Sequence, residues 1–120
     1  MKVMVTSSGP TVESQVDPRF GRAPHFILVD TTSGEVEALD NAEGLSAGQG
    51  AGVQAAQRVA GSGAQCLVTG HCGPKAFRAL DAAGIAVYTG AAGSVAQALE
   101  MLAAGQLKRA SGPDVGGHWM

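Results

Sequence analysis

Three short segments, each marked by glycine or proline, carry the residues with most chemistry to offer. In the first, Asp17-Pro18-Arg19-Phe20-Gly21-Arg22-Ala23-Pro24-His25, the cations Arg19 and Arg22 and the imidazole His25 fall within seven residues, against one carboxylate, Asp17. A guanidinium is a planar fork of donors that stays charged at any working pH. Two of them on one rigid loop can therefore grip an oxyanion or a sulfide-rich cluster. The alternative for Arg19 is an ion pair with Asp17 or with a helix C-terminus, which makes it structural.

The second segment is Thr69-Gly70-His71-Cys72-Gly73-Pro74-Lys75, the turn out of an apolar β-like run into a helix. Open α/β sheets hold ligands at such carboxyl ends of parallel strands. Unpaired N–H groups at the helix start attract anions, and the same dipole favours the thiolate form of Cys72. His71 is suited either to ligate a metal or to donate a hydrogen bond, so His71 and Cys72 are the candidate metal ligands. The alternative for Cys72 is a small side chain filling a tight turn, since one thiol beside one imidazole is a weak metal signature. Cys66 sits inside the apolar run and reads as an inert core residue, and its Cys-x5-Cys spacing to Cys72 is not a zinc clip.

The third segment is Gly48-Gln49-Gly50-Ala51-Gly52. It does not match the dinucleotide fingerprint, because Val53 stands where the third glycine belongs and no strand immediately precedes it. Gly48 and Gly50 still let a ligand approach backbone N–H groups at a helix start. Catalytic signatures are lacking: there is no Gly-x4-Gly-Lys-Ser/Thr, no His-Glu-x-x-His and no Cys-x2-Cys. A two-metal nuclease needs carboxylates within the central strands, whereas Asp30 and Asp40 fall at strand ends.

The elements that must hold these segments can be read from periodicity and punctuation. Lys2 to Thr6 reads as a strand closed by Ser7-Ser8-Gly9-Pro10, and His25 to Asp30 and Glu35 to Leu39 as a hairpin about a short polar link. A helix follows up to Gly61, with Val53, Ala56 and Ala60 on its apolar face. Gln65 to Thr69 and Ile85 to Tyr88 read as strands, and Pro74 to Ala83 and Ser94 to Ala104 as helices. Pro74 suits the first helical position, Gly84 a left-handed C-cap, and Ser94 with Gln97 a capping box. Three meander strands followed by β-α-β-α imply an α/β fold with a mixed sheet of five strands and helices on both faces.

The 120 residues, 45% of them hydrophobic, suit one domain over residues 1–107 with a tail over residues 108–120, in which His118 and Trp119 are expected to dangle. A net charge of -2 argues against a general nucleic-acid surface while leaving room for a local cationic patch. Two cysteines are too few for a disulfide framework and read as reduced thiols. No run approaches the roughly 18 apolar residues of a spanning helix. Met1-Lys2 leads straight into a β-like run rather than a secretory signal, so a cytoplasmic protein without membrane contact is expected.

Taken in order, Asp17 to Pro24, Gly48 to Gly52 opening a helix, Gly70-His71-Cys72-Gly73-Pro74-Lys75-Ala76 and Gly84-Ile85-Ala86-Val87-Tyr88 resemble the dinitrogenase iron-molybdenum cofactor-binding family, which includes NifX-like domains and the tail domain of NifB. The similarity runs over nearly the whole chain up to Leu107. It implies a ribonuclease H-like motif with sheet order 3-2-1-4-5. It also implies that the fold serves, without catalysis, to bind or carry a preformed molybdenum-containing sulfide cluster. That cluster is either of the iron-molybdenum cofactor type or a molybdenum-copper sulfide, as in stand-alone members outside nitrogen fixation. The family has no fixed set of cysteine ligands. A cluster supplied with its own sulfides can be held by Arg19, Arg22, His25, Lys75 and helix N-termini, with Phe20 giving apolar contact. The implied partners are the inorganic cluster and the proteins that donate or accept it. The competing function is a regulatory module whose basic loop binds an acidic partner protein or a phosphorylated metabolite.

Overall fold

Strand alternation determines which side chains each face of the sheet receives. In β1 (Lys2–Ser7), Val3 and Val5 point to one face and Met4 to the other, and all three are fully buried. A strand buried on both faces must lie at the centre of a sheet, and β1 does. The computed structural model describes residues 1–41 and 50–110. It contains one sheet in the order β3-β2-β1-β4-β5-β6, with β2 (His25–Asp30), β3 (Val36–Asp40), β4 (Cys66–Val68), β5 (Ala86–Thr89) and β6 (Lys108–Arg109). β1, β4 and β5 run parallel, while β2, β3 and β6 attach antiparallel.

The expected five-strand order is thus present, extended by a sixth strand. Lys108 and Arg109, the first residues of the expected tail, pair with Thr89 and Tyr88, and Ala110 N–H donates to Val87 O at 2.8 Å. Two residues carry no periodicity, so only the open edge of β5 reveals this strand. His118 and Trp119 lie outside the described residues.

Among the described residues, three helices cover the two faces. On one side α1 (Ala51–Gly61) and α2 (Pro74–Ala82) pack over Met4, Phe26, Leu28, Leu67 and Val87. On the other, α3 (Val95–Ala103) packs over Val3, Val5, Ile27, Val29 and Val68. α2 buries Ala76, Phe77 and Leu80, and Gly84 ends it at φ 78°. The expected face of α1 is corrected: Ala51, Ala55, Ala56 and Val59 are buried, while Ala60 is exposed and Val53 half-exposed. In a helix built largely of glycine, alanine and valine, most positions are small and apolar, so hydrophobicity alone marks its inner stripe poorly. Those small residues also bring the helices together, because a Cβ added at Gly52 would stand 3.2 Å from the Cβ of Ala76.

The capping box of α3 is complete, with Gln97 N–H donating to Ser94 Oγ at 3.1 Å and Ser94 N–H to Gln97 Oε1 at 2.8 Å. Among the described residues no helix is long and apolar enough to cross a membrane. Ser94→Ala should cost about 1 kcal/mol, lowering the melting temperature by about 4 °C in a thermal scan. An unchanged midpoint would show that the cap contributes nothing.

Candidate functional site

The loop over residues 17–24 is fixed at its root by buried polar groups. Asp17 N–H donates to Thr6 O at 3.0 Å, and the Thr6 hydroxyl donates to Asp17 O at 2.6 Å. Thr6 Oγ1 also lies 2.9 Å from Thr69 Oγ1. Thr6 belongs to β1, and Thr69 directly follows β4. These bonds seat the loop at the carboxyl end of the two parallel strands, where a loop carrying polar backbone can bury itself only if its groups are satisfied.

Two glycines then allow the loop to touch its neighbours through backbone. A Cβ on Gly70 would lie 2.6 Å from Pro18 Cα, and one on Gly21 would lie 2.8 Å from the Gly52 nitrogen at the start of α1. No side chain, not even a methyl group, fits either contact without a shift. His71 N–H donates to Pro18 O at 2.8 Å, and a parallel bridge joins Arg19 to His71. Asn41 closes the far end of the loop, its side-chain amide donating to Ala23 O at 2.7 Å and its backbone N–H to Pro24 O at 2.9 Å. Phe20 is buried against Phe26, with ring centroids 6.0 Å apart.

Arg19 and Asp17 form the ion pair that the sequence allowed. Nε and one terminal nitrogen of Arg19 donate to the two Asp17 oxygens at 3.1 and 3.0 Å, and the Arg19 backbone N–H adds a bond of 2.9 Å. Burial by itself would raise the Asp17 carboxyl. The bonds from Arg19 outweigh it and hold the group below the ordinary carboxylate value, while Asp17 in turn raises Arg19.

Beside this clasp lies a cavity of about 490 Å³. Arg19, Arg22, His71 and Lys75 give it charge and polar donors, and Phe20, Val53 and Pro74 give it apolar wall. Residues from Gly50 to Val53 and from Gly73 to Ala76 also line it, so the starts of α1 and α2 both open onto one space. Neither start is closed by a cap side chain, and neither first turn holds an acidic residue. α3 differs, because its own capping box satisfies its start. First-turn N–H groups without caps, two helix dipoles and nearby cations all favour negative charge in the cavity.

The structure therefore brings together Arg19, Phe20, Arg22, Gly50, His71 and Lys75 from the expected set. It does not bring Cys72 or His25 to the cavity. Cys72 is 1% exposed and belongs to the core under α1 and α2, because the turn after β4 directs it inward while neighbouring His71 stays exposed. His25 opens β2, and alternation sets it on the face of Ile27 and Val29, opposite Phe26. Gly48 lies outside the described residues. Cys66 is a core thiol, pushed up by burial. Sequence reasoning missed Val53, Pro74 and Ala76 as lining, although helix starts flanked by glycine are the signal that finds them.

Among the described residues no group of three His, Cys, Asp or Glu side chains gathers to hold a metal ion. Cations, N–H donors and apolar walls fit an anion that brings its own metal ligands better than a bare cation.

Known proteins share this fold and much of its sequence. Residues 1–105 match the family model described as dinitrogenase iron-molybdenum cofactor. The apo form of the orange protein from Desulfovibrio gigas superposes with a TM-score of 0.92 at 44% identity, covering 95% of this chain and 96% of that one. A Thermotoga protein whose structure was described as that of a NifB candidate superposes at 0.83 with 33% identity, covering 97% and 98%. An uncharacterised protein of Methanocaldococcus jannaschii is 26% identical over 102 residues, covering 83% of this chain and 86% of its own.

Two outcomes test the construction of the site. Because the Asp17 carboxyl is depressed in the folded state, its contribution is present above the ordinary value of 3.8 and is lost as pH falls through the folded value. Asp17→Asn should lower the melting temperature at neutral pH, and the gap from the wild type should close on acidification through that range. A gap independent of pH would refute the clasp. Gly70→Ala should lose about 1–3 kcal/mol in chemical denaturation, since the added methyl meets the Pro18 backbone. An unaffected midpoint would contradict the close approach.

Proposed function

The chain belongs to the dinitrogenase iron-molybdenum cofactor family, and from that membership we propose that it binds and carries a preformed, anionic molybdenum-containing sulfide cluster in the cavity between the 17–24 loop and the starts of α1 and α2. The observation that supports this reading best is the convergence of Arg19, Arg22 and Lys75 with two uncapped helix starts on one space. Sulfides complete the coordination of such a cluster, so the protein need supply only positive charge, N–H donors and a wall that excludes water. Arg19, Arg22, Lys75 and His71 would face the anion, and Phe20 and Val53 its apolar surroundings.

No acid–base or nucleophilic step is assigned to these residues, and the role is carriage rather than catalysis. Of the two cluster types implied by the sequence resemblance, the proposed cargo is the molybdenum-copper sulfide. The setting of this reading is the cytoplasm, with Cys66 and Cys72 outside any disulfide. Proteins that donate or accept the cluster are its partners.

Reconstitution of the apoprotein with tetrathiomolybdate and copper should give a coloured protein that keeps both metals through desalting. Absence of retained metal would refute the proposal. Lys75→Ala and Arg22→Ala should each weaken retention about tenfold or more. Salt near 1 M, which screens charges beyond roughly 3 Å, should weaken it further. Cys72→Ser should retain the cluster. Loss in Cys72→Ser with retention in Arg22→Ala would replace electrostatic capture by thiolate ligation.

A further inference from the structure

A carboxylate beside an anion site requires an explanation, because its charge opposes the cargo. Asp17 is such a group: its side chain is 7% exposed, next to an Arg19 side chain that is 62% exposed and lines the cavity. Resting on the carrier reading above, we propose that Asp17 is a positioning residue for the cargo. Its carboxylate holds the Arg19 guanidinium in one orientation, so that the anion meets an arginine already ordered.

The geometry supports this in three ways. Nε and one terminal nitrogen of Arg19 bind the two Asp17 oxygens at 3.1 and 3.0 Å, a paired contact that fixes the plane of the guanidinium as well as its place. Arg19 N–H bonds the same carboxylate at 2.9 Å, which ties the arginine backbone to the clasp. Asp17 is itself held at its backbone by Thr6, so the arginine is referenced to β1 through a buried chain of hydrogen bonds. The pair occupies two of the five guanidinium N–H donors and leaves three for a ligand. An exposed arginine without such a clasp samples many rotamers, and ordering it on binding lowers affinity.

This role and a purely electrostatic one predict opposite signs. Asp17→Asn removes a negative charge beside an anion site, which on charge alone tightens binding. Under the positioning role the variant binds more weakly.

The test is a spectrophotometric titration with tetrathiomolybdate at neutral pH of the wild type, Asp17→Asn, Arg19→Lys and the double variant. Asp17→Asn should weaken binding about threefold to tenfold. That loss should vanish in the Arg19→Lys background, because an ammonium keeps the charge but cannot make the paired contact. Tighter or unchanged binding by Asp17→Asn, or the same loss in the Arg19→Lys background, would overturn the proposal. An NMR readout without cargo accompanies it. The Arg19 Nε–H signal should be resolved and slow to exchange in the wild type, and should merge with those of the other arginines in Asp17→Asn. A signal unaltered by the substitution would also overturn the proposal. Failure of the wild type to bind tetrathiomolybdate would instead remove the carrier reading, and this inference with it.

Discussion

Backbone meeting backbone, with no side chain between, is the constraint on which the site depends. Pro18 rests on Gly70, and Gly21 rests on the first turn of α1 at Gly52. A methyl group at either glycine would fill the contact and hold the 17–24 loop away from the helix starts. The arginines on that loop would then be separated from the N–H groups they share the cavity with. The high glycine and alanine content of the chain is thus a requirement of close approach as much as a lack of large core residues. The same economy of volume lets α1 pack on α2 through Gly52 and Ala76.

The parallel part of the sheet places the charge. β1 and β4 end side by side, and the chain leaving each of them runs into one half of the cavity rim. Thr6 and Thr69 join those ends through buried hydroxyls, so the rim is anchored to the most buried strands of the molecule. The antiparallel strand β2 fills core on both faces and α3 covers the far one, and neither contributes lining. A nearly neutral chain can in this way concentrate cations and helix dipoles in one place, which favours a compact anion over an extended polyanion.

Much of this organisation could be read from residue types. The order of strands and helices, the first turn at Pro74, the left-handed stop at Gly84 and the capping box at Ser94 follow from local chemistry, and local chemistry prevailed. The loop and the turn before α2 were both visible as candidates because proline, glycine and cations cluster there. Other features were set by tertiary contacts that the sequence does not display. Cys72 looked reactive beside a helix start, yet the direction of the turn after β4 puts it in the core. His25 looked like part of the basic loop, but strand register assigns it to the opposite face. β6 exists only because β5 offers an unpaired edge, and the inner stripe of α1 is blurred because small apolar residues surround the helix.

The central claim is that charge and N–H donors at two helix starts, rather than protein thiolates, retain an anionic cluster. A crystal structure of the loaded protein, with anomalous scattering recorded at the molybdenum edge, tests it most directly. The account predicts a molybdenum peak inside the cavity bordered by Arg19, Arg22 and Lys75, with sulfide completing the coordination and no bond to a protein side chain. A peak bonded to the Cys72 sulfur, or one lying outside that cavity, would contradict it.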